Sequence, residues 1–174
     1  MFKEINIMRI FFEEPTREFN VREVSRILKM SPATASKKLN IIHKERLLKK
    51  RKLKMFDFYS ADIDSQSYRD VKTYYNITKL RNSGLIEELN KVYLRPSIIL
   101  FGSAAHGMDI ENSDFDILVV SEKKELMKSE KFEKKLNRSI HLFVVRSVRE
   151  LKNESLMNNV ANGIVIEGRI NGFE

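Results

Sequence analysis

The chain has 174 residues, of which 42% are hydrophobic and 32% are charged, and this balance is typical of a folded globular protein. It contains no cysteine, which excludes a disulfide scaffold, a thiol nucleophile and a cysteine-ligated zinc site. The longest stretch without a charged residue, 96–108, is shorter than the about 20 apolar residues of a membrane helix. Residues 1–4 do not begin a signal-peptide pattern, so we expect a cytoplasmic protein without a membrane partner.

The net charge of +8 is confined to the first third of the chain. Residues 1–60 contain 15 Lys and Arg against 7 Asp and Glu, whereas residues 61–174 contain 17 of each class. This uneven distribution indicates two modules, the first of which faces a polyanion. The alternative is a basic surface that contacts only solvent.

Three short helices are predicted in the first module. Apolar side chains at helical spacing predict them over residues 2–12, 21–29 and 32–43. Asn20 and Ser31 are suitable N-caps for the second and third helices. The side chains predicted to face inward are Ile5, Met8, Phe11, Phe12, Val21, Val24, Ile27, Leu28, Ala35, Leu39 and Ile42.

The third helix has a polar outer face, and a basic run follows it. The outer face carries Thr34, Ser36, Lys37, Lys38 and Asn40. Alternating apolar residues over 55–59 predict a strand, so the basic residues 49–54 before it are predicted to form the tip of a hairpin.

Two helices separated by a tight break, followed by a basic hairpin, resemble a winged helix-turn-helix domain over residues 1–62. The resemblance implies that the helix at 32–43 enters the major groove of DNA and that the wing at 49–54 contacts the phosphate backbone. Arg46 departs from the family pattern, since many relatives have glycine after this helix. A domain used only for dimerisation or protein contact is the alternative. The residues expected to contact DNA are Thr34, Ser36, Lys37, Lys38, Lys50, Arg51 and Lys52.

Two further helices are predicted between the basic module and the C-terminal part. Residues 61–67 are polar and form a junction, and apolar spacing predicts helices over 68–81 and 85–94 with a break at Gly84. We interpret their aromatic residues as packing residues rather than as a platform for nucleobases. Residues 63–94 are therefore expected to be a linking segment.

Two carboxylates and a glycine-serine turn follow. A predicted strand at 113–120 begins with Asp114 and Asp116, whose spacing puts both side chains on one side of the strand. Carboxylates this close repel each other unless a cation such as Mg²⁺ lies between them. Ten residues lie between Ser103 and Asp114. Gly102 allows close approach of a phosphate, and Ser103 offers an N–H and a hydroxyl. The combination is typical of phosphoryl or nucleotidyl transfer.

This pattern resembles the signature of the minimal nucleotidyltransferases in the DNA polymerase beta superfamily, over residues 95–170. The resemblance implies that Gly102 and Ser103 hold the triphosphate of a nucleoside triphosphate substrate. It also implies that Asp114 and Asp116 hold Mg²⁺ or Mn²⁺. The alternative is an ordinary turn followed by a solvated acidic strand end.

The family usually adds a third acid on a neighbouring strand, which helps to bind metal and activates the attacking hydroxyl. The candidate strand is at 138–145, and His141 stands at the matching position. A neutral histidine can ligate metal or act as a base near pH 7, so we include His141 among the catalytic candidates; an ordinary polar position is the alternative. Other acids that could substitute are Asp109, Glu111, Glu150 and Glu154.

The last segment completes an α+β protein. The pattern from residue 151 predicts an amphipathic helix that ends near Gly163, and residues 164–166 predict a short strand. We expect a winged helix-turn-helix at 1–62, linking helices at 63–94, and a nucleotidyltransferase fold with a small mixed sheet at 95–174. This order resembles a group of fusion proteins described as nucleotidyltransferase-domain regulators.

Three functions remain open. The first is an enzyme that moves a nucleoside monophosphate from a nucleoside triphosphate, with ATP expected, to a protein or nucleic-acid acceptor; related minimal transferases modify a toxin-like protein partner. The second is a transcription regulator with a catalytically weak transferase domain that senses nucleotide or a partner. The third is an interaction module with vestigial sites, against which the intact Asp114 and Asp116 argue. A homodimer is expected by analogy with winged-helix proteins.

Overall fold

The computed structural model describes residues 5–125 and 127–169. The chain divides into two compact units, Met1–Lys72 and Thr73–Glu174, and helices and one small sheet are found in each, as predicted for the α+β class. The division falls within one long helix, Gln66–Ser83. No helix within the described ranges is long and apolar enough to cross a membrane.

The first unit combines short helices with a three-stranded sheet of order β1-β3-β2. Both strand pairs of this sheet are antiparallel. Residues 2–4 of the predicted first helix lie outside the described ranges. The elements in chain order are α1 (Ile5–Glu13), β1 (Phe19–Asn20), α2 (Val21–Ile27), α3 (Pro32–Lys44), β2 (Leu48–Leu53), β3 (Phe56–Ala61) and the beginning of α4 (Gln66–Ser83).

Both predicted N-caps are confirmed. Asn20 Oδ1 accepts a hydrogen bond from the Glu23 amide at 3.0 Å, and Ser31 Oγ accepts one from the Thr34 amide at 3.1 Å. These side chains satisfy amides that the first turns of α2 and α3 leave without a helical partner. The caps therefore fix the tight break between the two helices.

Arg46 occupies a position whose backbone conformation favours glycine, the residue that many relatives have there. Its φ is 58°, in the left-handed region. The Arg46 amide donates to the His43 carbonyl at 3.0 Å, and the Leu47 amide donates to the Ile42 carbonyl at 3.3 Å. This pair of bonds is a Schellman motif that ends α3, formed here at the conformational cost of a non-glycine residue.

Aromatic rings fill much of the interior of the first unit. The Phe11 and Phe19 rings pack edge to face with centroids 5.2 Å apart, and the Phe12 and Tyr68 centroids are 5.6 Å apart. The Tyr68 hydroxyl donates to the Phe11 carbonyl at 3.1 Å, so its polar atom is satisfied. Predicted core residues that are buried are Met8, Phe11, Phe12, Val24, Ala35, Leu39 and Ile42.

The predicted inward face of α2 is only partly correct. Val24 is buried, whereas Val21 and Leu28 are half-buried. The prediction for Ile27 is wrong, because this side chain is 43% exposed. The helix ends at Ile27, two residues before its predicted end.

The predicted position of the hairpin tip is also wrong. Basic residues 49–52 lie within strand β2, which pairs with β3 from Leu48↔Ala61 to Leu53↔Phe56. The turn consists only of Lys54 and Met55. Lys54 has a φ of 54°, so it supplies the left-handed conformation that glycine or asparagine usually supplies in such two-residue turns.

The second unit is built on a four-stranded sheet of order β6-β5-β4-β7. β5 and β6 are parallel, and the other two pairs are antiparallel, which confirms the predicted small mixed sheet. A 3₁₀ turn, Ser103–His106, follows β4, and a second, Val148–Glu150, follows β6. After α4 the elements are α5 (Leu85–Tyr93), β4 (Ser97–Phe101), β5 (Phe115–Val120), α6 (Glu130–Leu136), β6 (Ile140–Val145), α7 (Glu154–Ala161) and β7 (Ile164–Glu167).

Helix α5 packs inside the second unit, although the sequence suggested a linking helix. Its Leu85 and Leu89 belong to the same buried cluster as Ile98 of β4 and Ile117 of β5. Helix α6 was not predicted from the sequence. Its Phe132 and Leu136 join the same cluster. Both helices cover one face of the sheet, and the strand ends that carry the site are held by this packing.

Candidate functional site

Strand register brings the motif residues to one edge of the sheet. Phe101, the last residue of β4, pairs with Asp116 of β5. Asp116 in turn pairs with His141 of the parallel strand β6. The glycine-serine turn after β4, the acid pair at the start of β5 and the histidine of β6 therefore lie side by side.

His141 contacts both carboxylates of the acid pair. Its Nδ1 lies 3.2 Å from Asp116 Oδ1, and its Nε2 lies 3.5 Å from Asp114 Oδ2. The side chains of His141, Asp114 and Asp116 are 56%, 35% and 28% exposed, so the cluster is open to solvent. Asp114 precedes β5 by one residue but still reaches the same ring as Asp116.

The contact with Asp116 decides which ring nitrogen carries the proton in a neutral imidazole. A carboxylate only accepts hydrogen bonds, so at 3.2 Å the proton is on Nδ1. The second contact, 3.5 Å from Asp114, is too long for a strong hydrogen bond. Nε2 then keeps its lone pair, as in other sites where a carboxylate on one nitrogen orients an imidazole base.

Position 102 requires glycine, both for its backbone conformation and because the Asp116 carboxylate lies close to it. It has a φ of 71° and a ψ of −158°, a conformation that is essentially restricted to glycine. A Cβ built on this residue would lie 2.5 Å from Asp116 Oδ2. The absence of a Cβ at Gly102 therefore allows the backbone of the turn to lie next to the Asp116 carboxylate.

Ser103 begins the 3₁₀ turn that follows Gly102. The turn is closed by the Ala105 amide, which donates to the Gly102 carbonyl at 3.2 Å, and by the Met108 amide, which donates to the Ser103 carbonyl at 3.0 Å. Ser103 itself is half-buried. Its hydroxyl is thus presented at the start of a fixed turn next to the acid pair, which suits contact with a phosphate.

The turn is held by a network of buried side chains, of which Asn76 and Arg138 were not predicted from the sequence. Asn76 of α4 donates to the Ala104 carbonyl at 3.0 Å and to Asp109 Oδ1 at 2.8 Å. Asp109 also forms an ion pair with Arg138 at 2.5 Å, in which the side chains are 0% and 4% exposed. Asn76 and Arg138 are far apart in sequence, so their meeting could not be predicted from local spacing. The one sequence feature that could have indicated this network is a polar residue, Asn76, within the apolar stripe of α4.

Asp109 is therefore not a substitute for the missing third acid, because its carboxylate is buried and paired. Glu150 is engaged by Lys124 at 3.1 Å, and this cation lowers the pKa of the Glu150 carboxyl. Glu154 is exposed in the first turn of α7. Glu111 is half-buried in the segment before β5. His141 remains the side chain that contacts both carboxylates.

The site supplies two carboxylates for a cation rather than a complete protein cage. No group of three or more His, Cys, Asp and Glu side chains within residues 5–125 and 127–169 is arranged to hold a metal ion. Mg²⁺ is usually bound by one or two carboxylates, with the remaining positions filled by water and substrate phosphates. The donor set of Asp114 and Asp116 beside a phosphate-accepting turn fits this mode of binding.

Residues 82–164 match the family model of the nucleotidyltransferase domain. This part of the second unit is thus similar to a nucleotidyltransferase domain, and the matched segment extends from the end of α4 to the first residue of β7 and includes α5. Among curated proteins, none matches the chain. The match contains the Gly102 turn, the acid pair and His141.

On α3, the residues predicted to contact DNA lie on the exposed side. Thr34 and Lys37 are exposed, and Ser36 and Lys38 are half-buried. The Thr34 hydroxyl shares a hydrogen bond with Ser31 Oγ at 2.8 Å, so it also belongs to the cap. Neither Lys37 nor Lys38 forms an ion pair with any residue in the described ranges.

On β2, two of the three predicted DNA contacts are engaged by acids of the first unit. Lys50 Nζ lies 2.8 Å from Asp57 Oδ2, and this carboxylate raises the pKa of the Lys50 amine. Arg51 contacts Glu18 through two nitrogens, and this carboxylate raises the pKa of the Arg51 guanidinium. The third residue, Lys52, is exposed and unpaired within the described part of the chain.

Proposed function

We propose that the protein is an enzyme that transfers a nucleoside monophosphate from a nucleoside triphosphate, ATP first among the candidates, to a hydroxyl of a protein or nucleic acid. The observation that carries this proposal is the close approach of Gly102 to Asp116, 2.5 Å from a built Cβ to Oδ2, inside the segment that matches the family model. A turn that must be glycine beside paired carboxylates has no evident purpose in packing alone.

Each residue has a defined task in this proposal. The amide and hydroxyl of Ser103 contact phosphate oxygens, and Gly102 allows them to approach the acid pair. Asp114 and Asp116 would hold Mg²⁺ or Mn²⁺, which would supply positive charge to offset the negative charge that develops on the triphosphate. The acceptor oxygen bonds to the α-phosphorus, the bond to the bridging oxygen breaks, and pyrophosphate leaves.

His141 takes the proton of the acceptor hydroxyl. Its Nδ1–H is held by Asp116 at 3.2 Å, which leaves Nε2 as the base. Asp116 thereby orients the imidazole, in the way that a carboxylate orients the histidine of other hydroxyl-activating sites. The half-exposed ring is accessible to a large acceptor such as a protein or nucleic acid.

The first unit is proposed to be a winged helix-turn-helix domain that binds DNA. The support comes from the capped α2–α3 pair, the unpaired Lys37 and Lys38 on the exposed side of α3, and the β2–β3 hairpin. All of the excess positive charge lies in residues 1–60. Because Lys50 and Arg51 are already paired with acids, α3 rather than β2 is proposed to supply the main phosphate contacts.

A second candidate function is a DNA-binding regulator that senses nucleotide without transferring it. The observation that favours it is His141 in the place of the third acid, in contact with both carboxylates. A regulator would bind nucleoside triphosphate at the same site, and its affinity for DNA would change when nucleotide binds. A toxin-like protein partner and a homodimer are compatible with either candidate.

The transfer experiment separates these candidates. The full chain is incubated with α-³²P-labelled ATP and Mg²⁺ or Mn²⁺, with itself, cellular protein and RNA as acceptors, and covalent label is counted after denaturation. Asp114→Asn and Asp116→Asn should abolish labelling, while Glu122→Gln, which removes a mostly exposed acid near the end of β5, should not. Labelling that persists in the Asn variants contradicts the enzyme proposal, and nucleotide-dependent DNA binding without any labelling favours the regulator.

A further inference from the structure

An open groove in the first unit has no lining residue from α3. Its volume is about 580 Å³, within the range of sites that bind small ligands. It is bordered by residues of α2, by Asn20 before this helix and by strand β3. The lining residues are Asn20, Arg22, Glu23, Arg26, Phe56 and Phe58.

Strand alternation places this groove on the face of the hairpin that points away from α3. The side chains that contact α3 come from one face: Tyr59 donates to Asn40 Oδ1 at 3.0 Å, and Lys50 donates to the same oxygen at 3.1 Å. Phe56 and Phe58 alternate with Tyr59 along β3 and therefore point to the opposite face. A duplex contacted through α3 would leave the groove uncovered.

The groove carries positive charge that its acidic lining residue, Glu23, does not neutralise. Arg22 and Arg26 form no ion pair with any residue within 5–125 and 127–169. Glu23 is already engaged, since it contacts Arg17. This contrasts with β2, where Lys50 and Arg51 have carboxylate partners. The groove therefore selects an anionic ligand by charge.

The aromatic rings restrict the kind of anion further. Phe56 is 47% exposed, an unusual position for a large apolar ring, and Phe58 lies next to it on the same face. Arg22 lies over the Phe56 ring at 5.9 Å from its centroid, and Arg51 lies over the Phe58 ring at 5.7 Å. Alternation of flat rings with guanidinium groups matches the alternation of planar bases and phosphates in an unpaired nucleic-acid strand.

From this arrangement we infer that the α2–β3 groove binds a short stretch of single-stranded nucleic acid, with a base stacked on Phe56 and phosphates on Arg22 and Arg26. The site is separate from the proposed duplex contact through α3. An acidic protein segment would satisfy the two arginines but would leave the exposed Phe56 ring without a planar partner, so the strand is the better match. Stacking is tolerant of sequence, because every base has a flat face.

The test measures two affinities on the same full-length variants. Fluorescence anisotropy is recorded with a labelled oligothymidylate of about ten nucleotides and with a labelled duplex. Phe56→Ala should weaken oligothymidylate binding at least about fivefold, whereas Phe56→Trp should preserve it. Arg22→Ala combined with Arg26→Ala should also lower the salt dependence, by about 0.7 in log–log slope for each lost phosphate contact.

Matched control variants distinguish a general effect of lost positive charge from an effect of its location in the groove. Lys91→Ala combined with Lys131→Ala removes two exposed cations of the second unit and should leave oligothymidylate binding unchanged. Lys37→Ala combined with Lys38→Ala should weaken duplex binding and spare the oligothymidylate. Far-UV circular dichroism checks that each variant is folded; Phe56 and both arginines are exposed, so folding should be preserved.

Three results would overturn the inference. The groove variants and the second-unit control could bind the oligothymidylate equally well. The Lys37 and Lys38 variant could lose the oligothymidylate as strongly as the duplex, which would place the strand on α3. Finally, a poly-glutamate peptide could displace the oligothymidylate from the wild type and bind with the same dependence on Phe56, which would make the groove a docking site for an acidic protein segment.

Discussion

His141 and Asp116 face each other across the parallel strands β5 and β6, with Nδ1 3.2 Å from Oδ1. A second carboxylate at this position, as the family resemblance implies, would repel Asp116 and require a cation between them. The imidazole instead donates a hydrogen bond to Asp116. The consequence is a site in which the group proposed as base is also oriented by a proposed metal ligand.

Replacement of His141 tests its role as the base. His141→Ala should lower the rate of nucleotide transfer by about a hundredfold or more, the usual contribution of a positioned general base. His141→Asp should keep or raise the rate, since it restores the acid of the family pattern. The measurement is kcat and kcat/KM for transfer of labelled nucleotide; equal rates in the wild type and in His141→Ala would exclude His141 as the base.

Gly102→Ala should remove nucleotide binding without unfolding the protein. The new Cβ meets Asp116 Oδ2 at 2.5 Å, and this atom ends a flexible side chain, so the carboxylate moves rather than the backbone. The strained backbone costs about 1–3 kcal/mol. Thermal unfolding and calorimetric titration with Mg²⁺–ATP are the measurements.

Gly84→Ala provides the matched control for this variant. Gly84 also has a positive φ, 85°, but its Cβ would meet only a Phe132 ring carbon at 4.0 Å. It should lose a similar amount of stability, about 1–2 kcal/mol, and keep nucleotide binding. If both variants bind nucleotide like the wild type, the contact between Gly102 and Asp116 has no functional importance.

Breaking the buried ion pair between Asp109 and Arg138 should destabilise the second unit more than breaking an exposed pair does. Asp109→Asn leaves the Arg138 charge buried without its partner, which costs about 3–5 kcal/mol. Glu88→Gln removes a partly exposed pair with Lys131 and should cost at most about 1 kcal/mol. Urea unfolding measures both changes, and equal losses would show that Asp109 and Arg138 do not act as a buried pair.

The sequence predicts the site well where the signal is local. Asp114 and Asp116 are two residues apart, and the Gly102 turn directly follows an apolar strand, so spacing alone indicates that these groups can act together. The prediction of His141 depends instead on the resemblance to the nucleotidyltransferase family, which implies a third acid on a neighbouring strand. The structure pairs Asp116 with His141 in the register of β5 and β6.

Other features depend on contacts that the sequence does not reveal. Asn76, Asp109 and Arg138 meet in one buried network, although they are distant along the chain. The position of the hairpin turn could not be predicted, because Lys54 adopts a left-handed conformation for which lysine has no preference. The exposure of Phe56 was likewise not predicted, since an aromatic residue in an alternating strand is usually interpreted as core.

The proposed duplex contact through α3 depends on Lys37 and Lys38. Lys37→Ala combined with Lys38→Ala should weaken binding to duplexes of any sequence and lower the log–log salt slope by about 0.9 for each lost phosphate contact. The double variant of Lys91 and Lys131 again removes the same charge from the second unit. An equal loss of affinity in both double variants would indicate a general charge effect instead of a contact surface on α3.

The central claim is that Asp114 and Asp116 hold a cation and a nucleoside triphosphate together beside the Gly102 turn. Isothermal titration of the full chain with ATP, in Mg²⁺ and in EDTA, tests it most directly. We predict binding that requires Mg²⁺ in the wild type and in Glu122→Gln, and its loss in the variant with both Asp114→Asn and Asp116→Asn, which should remain folded. Unchanged Mg²⁺-dependent ATP binding in that double variant would contradict the claim.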